Sequence, residues 1–303
     1  MARTVPNLWA RIRLNLEGHV LNPLWLPREV RRQRRFDAFG RVIAGYVKRY
    51  LPHGLAETTS VVGDDEKIWS IWFQGEENAP DLVKSCFATI RANCPQELVV
   101  LDENTIFDYI SLPPEIVAKF RAGKMKYCHF ADICRLELLH RYGGWWIDAT
   151  CFLTGPVPDW ISEQDFFMYM AGQKVHGNYS FVQNCFIRAR KGDYLLEAWR
   201  AMILDFWMHE DTRIDHFQHQ VMFKVLVEND PVAAAHFAAM PKVDQYPTHI
   251  VWYERADEPY DASFLQDITA QGLFYQKTTY RTSDAIVPGS FRDYIVSYCR
   301  SSR

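Results

Sequence analysis

Apolar residues at positions 130, 133, 134, 136, 138 and 139 wrap most of the way round a helical wheel, so Phe130 to Arg141 predicts a helix buried on nearly every side. Gly143 and Gly144 end it, because glycine takes the left-handed C-terminal conformation without a Cβ penalty. The apolar run Trp145-Trp146-Ile147 then reads as a short central strand, with Asp148 directly after it. Ligands of α/β sheets bind outside the carboxyl ends of strands, which makes Asp148 the first candidate for chemistry. Upstream, Lys67 to Phe73 alternates and is rich in Ile and Trp, a first strand broken by Gln74-Gly75. Pro80 to Asn93 has helical periodicity and Glu97 to Leu101 is a second strand, an order that predicts a parallel α/β unit. Downstream the pattern gives strands near Phe166 to Met170 and Asn184 to Ile187, then helices over Tyr194 to His209 and His216 to Val227. Residues 1–62 place Val30, Phe36, Phe39, Val42, Ile43 and Tyr46 at near-helical spacing among basic residues, up to a stop at Pro52-His53-Gly54.

A chain of 303 residues can bury a substantial core, and the pattern divides it into a helical basic segment, 1–62, and one α/β catalytic domain, 63–303. A hydrophobic content of 48% with 15% aromatic residues excludes a disordered chain. Seven cysteines without CxxC pairing argue against a disulfide framework and a zinc knuckle, and predict reduced, buried thiols. No apolar run approaches the roughly 18 residues that span a bilayer, and no signal-peptide core is present, so the expectation is a cytoplasmic protein. The net charge of −3 hides a split: residues 1–50 hold 11 Lys and Arg against 3 Asp and Glu. Such a segment suits attachment to an anionic membrane surface, peripheral at its inner face, or is simply a solvated helical lead-in. It lacks the aromatic interleaving and the modules of nucleic-acid binders, so no nucleic-acid partner is expected. GxGxxG, GxxxxGK[ST] and GxSxG are all absent.

Asp132 and Arg135, three apart on the predicted helix, can touch one another as an intrahelical ion pair. His209, His216 and His219 with Asp215 among them invite a metal reading, but the HExxH spacing is missing and zinc is disfavoured. Asp215, just before a predicted helix, suits an N-cap.

Ala131-Asp132, Arg135, Leu139 and Tyr142-Gly143-Gly144, leading into a strand and the triplet Asp148-Ala149-Thr150, resemble the glycosyltransferases of the capsular-polysaccharide-synthesis type. These are related to DXD-containing retaining sugar transferases. Further matches are KIWSIWFQGEENAP (Lys67 to Pro80), NCFIRA (Asn184 to Ala189), DHFQHQVMF (Asp215 to Phe223) and QKTTYR (Gln276 to Arg281). The resemblance implies a GT-A-like α/β fold, a mixed central sheet flanked by helices, here with a helical N-terminal extension. It also implies transfer of a sugar, with retention, from a nucleotide-sugar donor that is UDP-linked to a growing cell-surface polysaccharide or a lipid-linked glycan acceptor.

By the same resemblance Asp148 positions donor and metal, and Trp72, Gln74 and Gly75 close the first strand where base and ribose are gripped. Asp132 and Arg135 point to the nucleotide sugar, Asn184 offers an exposed amide at a strand start to donor hydroxyls, and Lys277 and Arg281 partner the diphosphate from a loop. Asp215 is the candidate acceptor-side carboxylate; Asn104 and Tyr109 are weaker candidates that serve equally as turn and packing residues. The implied cofactor is a divalent cation, Mn²⁺ or Mg²⁺, held by Asp148 and Thr150. Thr150 stands where a second carboxylate would be, and a neutral hydroxyl is the poorer ligand for a hard cation. That loss leaves open an alternative, an inactive scaffold of a polysaccharide assembly complex.

Overall fold

The computed structural model describes residues 7–61, 66–172, 179–281 and 285–301. The expected boundary between residues 62 and 63 falls outside them.

Among the described residues, seven strands form two sheets: β1 (Ile68–Ile71), β2 (Leu98–Leu101), β3 (Gly144–Ile147), β4 (Cys151–Leu153), β5 (Phe166–Met170), β6 (Val182–Ala189) and β7 (Tyr275–Lys277). The larger sheet has the order β2-β1-β3-β6-β5, and β4 pairs with β7 in a second, two-stranded sheet. β1 runs parallel to both β2 and β3, whereas β6 is antiparallel to β3 and β5. The sheet is therefore mixed, as expected. β1 and β3 are buried along their whole length, which is why β3 reads as a continuous apolar run, whereas the alternation read in β1 includes Ser70, which is buried as well.

The helix between β1 and β2 spans Asp81–Asn93 and packs on the C-terminal helix Phe291–Ser301. Tyr127–Tyr142, the long buried helix, lies against β1, β3 and the helix Tyr194–His209. It buries Asp132, Arg135 and Glu137 together with its apolar residues, so its amphipathic pattern is weak for a physical reason. β6 is longer than the expected strand, and the helix expected over His216 to Val227 is Gln218–Asn229, shifted toward the C-terminus.

The two glycines are required by the sheet. Gly143 and Gly144 have φ of 70° and 99°. A Cβ on Gly144 would lie 2.3 Å from the Lys67 carbonyl oxygen, and one on Gly143 would lie 2.8 Å from the Lys191 amide nitrogen. The Trp145 amide donates to that same Lys67 carbonyl at 3.0 Å, so the helix can stop and β3 enter beside β1 only where no side chain stands between them.

The N-terminal segment consists of helices Leu8–Asn15 and Arg28–Val47 joined through a π-helical turn, Leu16–Val20. Arg28–Val47 packs on Gln218–Asn229 and buries Phe36, Val42, Ile43 and Val47. Phe36 stacks on Tyr179 at 5.1 Å, and the Tyr46 and Tyr50 hydroxyls donate to the buried Glu210 carboxylate.

Gly144→Ala should lower stability by about 1–3 kcal/mol or more, since strain at positive φ adds to a backbone clash. Urea unfolding with an unchanged slope and a lower midpoint is the expected outcome; an unchanged midpoint would mean that β3 tolerates a shift.

Candidate active site

Asp148-Ala149-Thr150 forms the tight turn from β3 into β4. The Asp148 amide donates to the Cys185 carbonyl of β6 at 2.8 Å, and the Cys151 amide returns to the Asp148 carbonyl at 2.9 Å. β7 pairs with β4 in a register that sets Lys277 opposite Cys151, and the Thr278 amide holds the Thr150 carbonyl at 2.8 Å. Lys277 thus stands over the triplet. Its Nζ donates to Asp148 Oδ2 at 2.9 Å and to Thr150 Oγ1. The other oxygen, Asp148 Oδ1, accepts from Trp146 Nε1 at 2.7 Å and lies 3.4 Å from the Arg135 guanidinium. That guanidinium sits 4.7 Å from the centre of the Trp146 ring.

Arg135 links this corner to a second carboxylate. Its guanidinium is 3.2 Å from Asp132 Oδ1, which also accepts from Asn184 Nδ2 at 2.9 Å. Asp132 Oδ2 accepts from His219 Nδ1 at 2.8 Å, and His129 Nδ1 is 3.5 Å away. His219 Nε2 accepts the Trp207 indole N–H at 2.9 Å, which fixes the proton on Nδ1. Arg213 closes the chain with 2.9 Å to His129 Nε2.

Burial pushes the Asp132 carboxyl up, but Arg135, His219 and His129 outweigh it and hold it well below the usual carboxylate range. Burial also raises Asp148, and Lys277 with Arg135 overcomes it, leaving that carboxyl lowered as well. Lys277 is raised for the reciprocal reason, Asp148 prevailing over desolvation.

Asp132, Arg135, Asp148, Thr150, Asn184 and Lys277 are thus brought together. Three expectations change in detail. Asn184 lies inside β6, buried, and is spent on Asp132 rather than exposed at a strand start. Lys277 belongs to a strand, not a loop. Asp215 accepts from the Phe217 amide at 2.9 Å and from the Tyr179 hydroxyl at 3.3 Å, a turn residue held within its own neighbourhood. Asn104 and Tyr109 are likewise local: the Asn104 amide donates to Asp102, and the Tyr109 ring packs 5.5 Å from Trp69.

Trp72 is half-buried at the end of β1, its indole N–H has no hydrogen-bond partner among the described residues, and Tyr280 meets its ring edge-on at 5.1 Å. Gly75 has φ of 83°, and a Cβ there would meet the Glu77 carboxylate at 2.3 Å. Gln74 beside it is exposed, and its carbonyl accepts from Asn78 at 2.7 Å. Arg281 lines a cavity of about 670 Å³ with Arg121, Lys126, Arg213, His216 and Glu103, where helix Tyr127–Tyr142 begins. Sequence reasoning missed Arg213, Lys126 and His129; the signal for His129 was its position three residues before Asp132 on one helix.

A divalent cation at the triplet needs lone pairs of Asp148 and Thr150. Both Asp148 oxygens and the Thr150 hydroxyl already accept N–H donors, one of them a full ammonium, so these residues as folded do not fit the ion. His129, Asp132 and His219 approach one another closely enough for a metal, but both His219 nitrogens are engaged in hydrogen bonds.

The family described as capsular polysaccharide synthesis protein matches residues 27–295. Among curated proteins, the chain is 25% identical over 166 residues to the glycosyltransferase afumC of Aspergillus fumigatus, covering 48% of this chain and 41% of that protein. It is 29% identical over 167 residues to the O-glycosyltransferase braB of Annulohypoxylon truncatum, 50% of this chain and 40% of that one. The chain thus spans about two fifths of the length of these relatives. The solved PaToxG glycosyltransferase aligns over 70% of this chain and 83% of its own, at 13% identity and a TM-score of 0.40.

Asp132→Asn should destabilise the fold by about 3–5 kcal/mol, because Arg135 is then left buried without its nearer carboxylate. The wild-type carboxyl is depressed on folding, so its contribution is complete above the unfolded value of about 3.9 and is lost as pH falls through the folded value. Urea midpoints measured from pH 7 down to pH 3 should decline below about pH 4 in the wild type and less steeply in the variant. Parallel curves would remove Asp132 from the acid-sensitive set.

Proposed function

This chain belongs to the capsular polysaccharide synthesis protein family, and on that premise we propose that it is a glycosyltransferase. It moves a sugar from a UDP-linked donor to a saccharide or lipid-linked acceptor. The observation that carries the reading is the basic cavity at the start of helix Tyr127–Tyr142, joined through Arg213, His129, Asp132 and Arg135 to Asp148 at the end of β3. A nucleoside diphosphate is the anion such a place suits: the helix N-terminus and Lys126, Arg213 and Arg281 favour negative charge, and Trp72 and Tyr280 offer rings and an unpartnered N–H to the base.

Asp132 and Asp148 are both tied to cations, so neither is free to act as a nucleophile or as the base. This supports retention by attack on the donor face. The acceptor oxygen bonds to the anomeric carbon while the bond to the diphosphate oxygen breaks with its electron pair, and the acceptor proton passes to the departing phosphate. The protein's part is to hold the donor and to meet the charge that develops on the diphosphate.

UDP should raise the melting temperature by mass action, and Arg281→Ala should weaken UDP binding about tenfold, the worth of one charge-assisted hydrogen bond. Arg281 is exposed, so the substitution leaves the fold alone. If neither UDP nor any UDP-sugar shifts the transition at millimolar levels, the donor reading is wrong.

The N-terminal helices support a second partner, an anionic lipid surface. Trp9, Leu24 and Trp25 are 78%, 83% and 83% exposed, with Val20 and Leu21 beside them in sequence. Arg28, Arg31, Arg32 and Arg35 line an adjoining cavity of about 350 Å³, in which Arg31 and Arg35 each keep a buried Nε without a hydrogen-bond partner among the described residues. Aromatic and aliphatic groups bordering arginines match the boundary between acyl chains and phosphate headgroups. No helix of the described residues is long and apolar enough to cross a membrane, which leaves a surface mode of attachment for these groups. Vesicles containing phosphatidylglycerol should sediment the protein, and Trp9→Ala with Trp25→Ala should release it by about tenfold or more. Equal sedimentation of the two proteins would show that these side chains serve another partner.

A further inference from the structure

The triplet and its lysine carry one inference that deepens the donor reading and rests on it. A metal-binding pair of carboxylates brings two negative charges to a dication. Here the second carboxylate is the hydroxyl of Thr150, so the pair brings one, and the group placed between them, Lys277, carries a single positive charge. Charge is balanced in both arrangements. A dication added to the present one would enter an excess of positive charge, beside an ammonium and a guanidinium.

We infer that Lys277, backed by Arg135, supplies the positive charge that a divalent cation would supply at the triplet, and that donor binding and transfer proceed without a metal.

The placement is built in rather than incidental. The β4–β7 pairing sets Lys277 opposite Cys151, and the Thr278 amide and hydroxyl both hold the Thr150 carbonyl at 2.8 Å, so the backbone that delivers the ammonium is anchored to the backbone of the triplet. The Lys277 side chain is 15% exposed and that of Asp148 is 23% exposed, so part of each remains open to solvent. Lys277 remains protonated because Asp148 outweighs the desolvation. An arriving diphosphate can take up the one ammonium N–H not spent on Asp148 and Thr150, since a lysine offers three donors. Asp148 then keeps the lysine in place and acts on the donor through it.

The experiment measures two quantities on the chelator-treated full chain: Mn²⁺ binding by electron paramagnetic resonance of the free ion, and UDP affinity by calorimetry in EDTA and in Mn²⁺. The expected result is no protein-bound Mn²⁺ and UDP affinities that agree within about twofold. Lys277→Ala should reduce UDP affinity about tenfold or more, and Lys277→Ala combined with Thr150→Asp should acquire Mn²⁺ binding and a UDP affinity that depends on it. Lys277→Arg, which keeps the charge, should retain metal-free binding and controls for loss of folding. UDP binding that requires Mn²⁺, or Mn²⁺ bound by the wild type and lost in Asp148→Asn, overturns this inference and leaves the donor reading standing. Failure to bind UDP with or without Mn²⁺ overturns the donor reading and this inference with it.

Discussion

The ion pair between Asp148 and Lys277 is the constraint on which the site depends. It ties the end of a strand in the main sheet to a strand of the small sheet, and both partners are largely withdrawn from water. Removing two charges from water is unfavourable, and the pair persists because further polar positions of both partners are also met. Trp146 serves one Asp148 oxygen, and Thr150 takes a lysine proton. The position of β7 and the disposition of the triplet are therefore one decision, not two.

The same logic extends down helix Tyr127–Tyr142. Asp132 serves Arg135, Asn184 and two histidines, while Arg135 also reaches Asp148 and the Asn184 carbonyl. Carboxylate and cation alternate from Asp132 to Lys277, and His129 and Arg213 join that run to the basic cavity, so the charge of a ligand entering at one end is felt by groups that already depend on one another. A network of this kind is rigid when every member is satisfied. Its rigidity suits the positioning of a diphosphate, because little reorganisation is left to do as charge develops.

Some of the site was legible before folding. The apolar helix, the glycine pair and the strand ending at Asp148 were marked by local periodicity, and the structure needs both glycines because backbone lies where their side chains would be. Asp132 and Arg135 were legible as partners because three residues along a helix place side chains on one face. Asn184 is buried inside a strand rather than exposed at its start, and Asp215 has partners that the sequence did not indicate. Residue type shows that an amide or a carboxylate can serve a ligand, but not whether a neighbour in the fold has already claimed it.

The sequence by itself determined the parallel β1–helix–β2 unit, the buried helix, its abrupt stop and the strand-end location of the principal carboxylate. These depend on spacing along the chain and on the steric freedom of glycine. Only the tertiary structure decided what that carboxylate would face. Lys277 is 129 residues from Asp148, His219 is 87 from Asp132, and Arg213 is 84 from His129. Such pairs are fixed by strand register and by helices packing across the sheet, and no local pattern records them. The physical reason is that hydrophobic periodicity states which face is buried, whereas the partner of a buried charge is chosen by whatever the fold brings against that face.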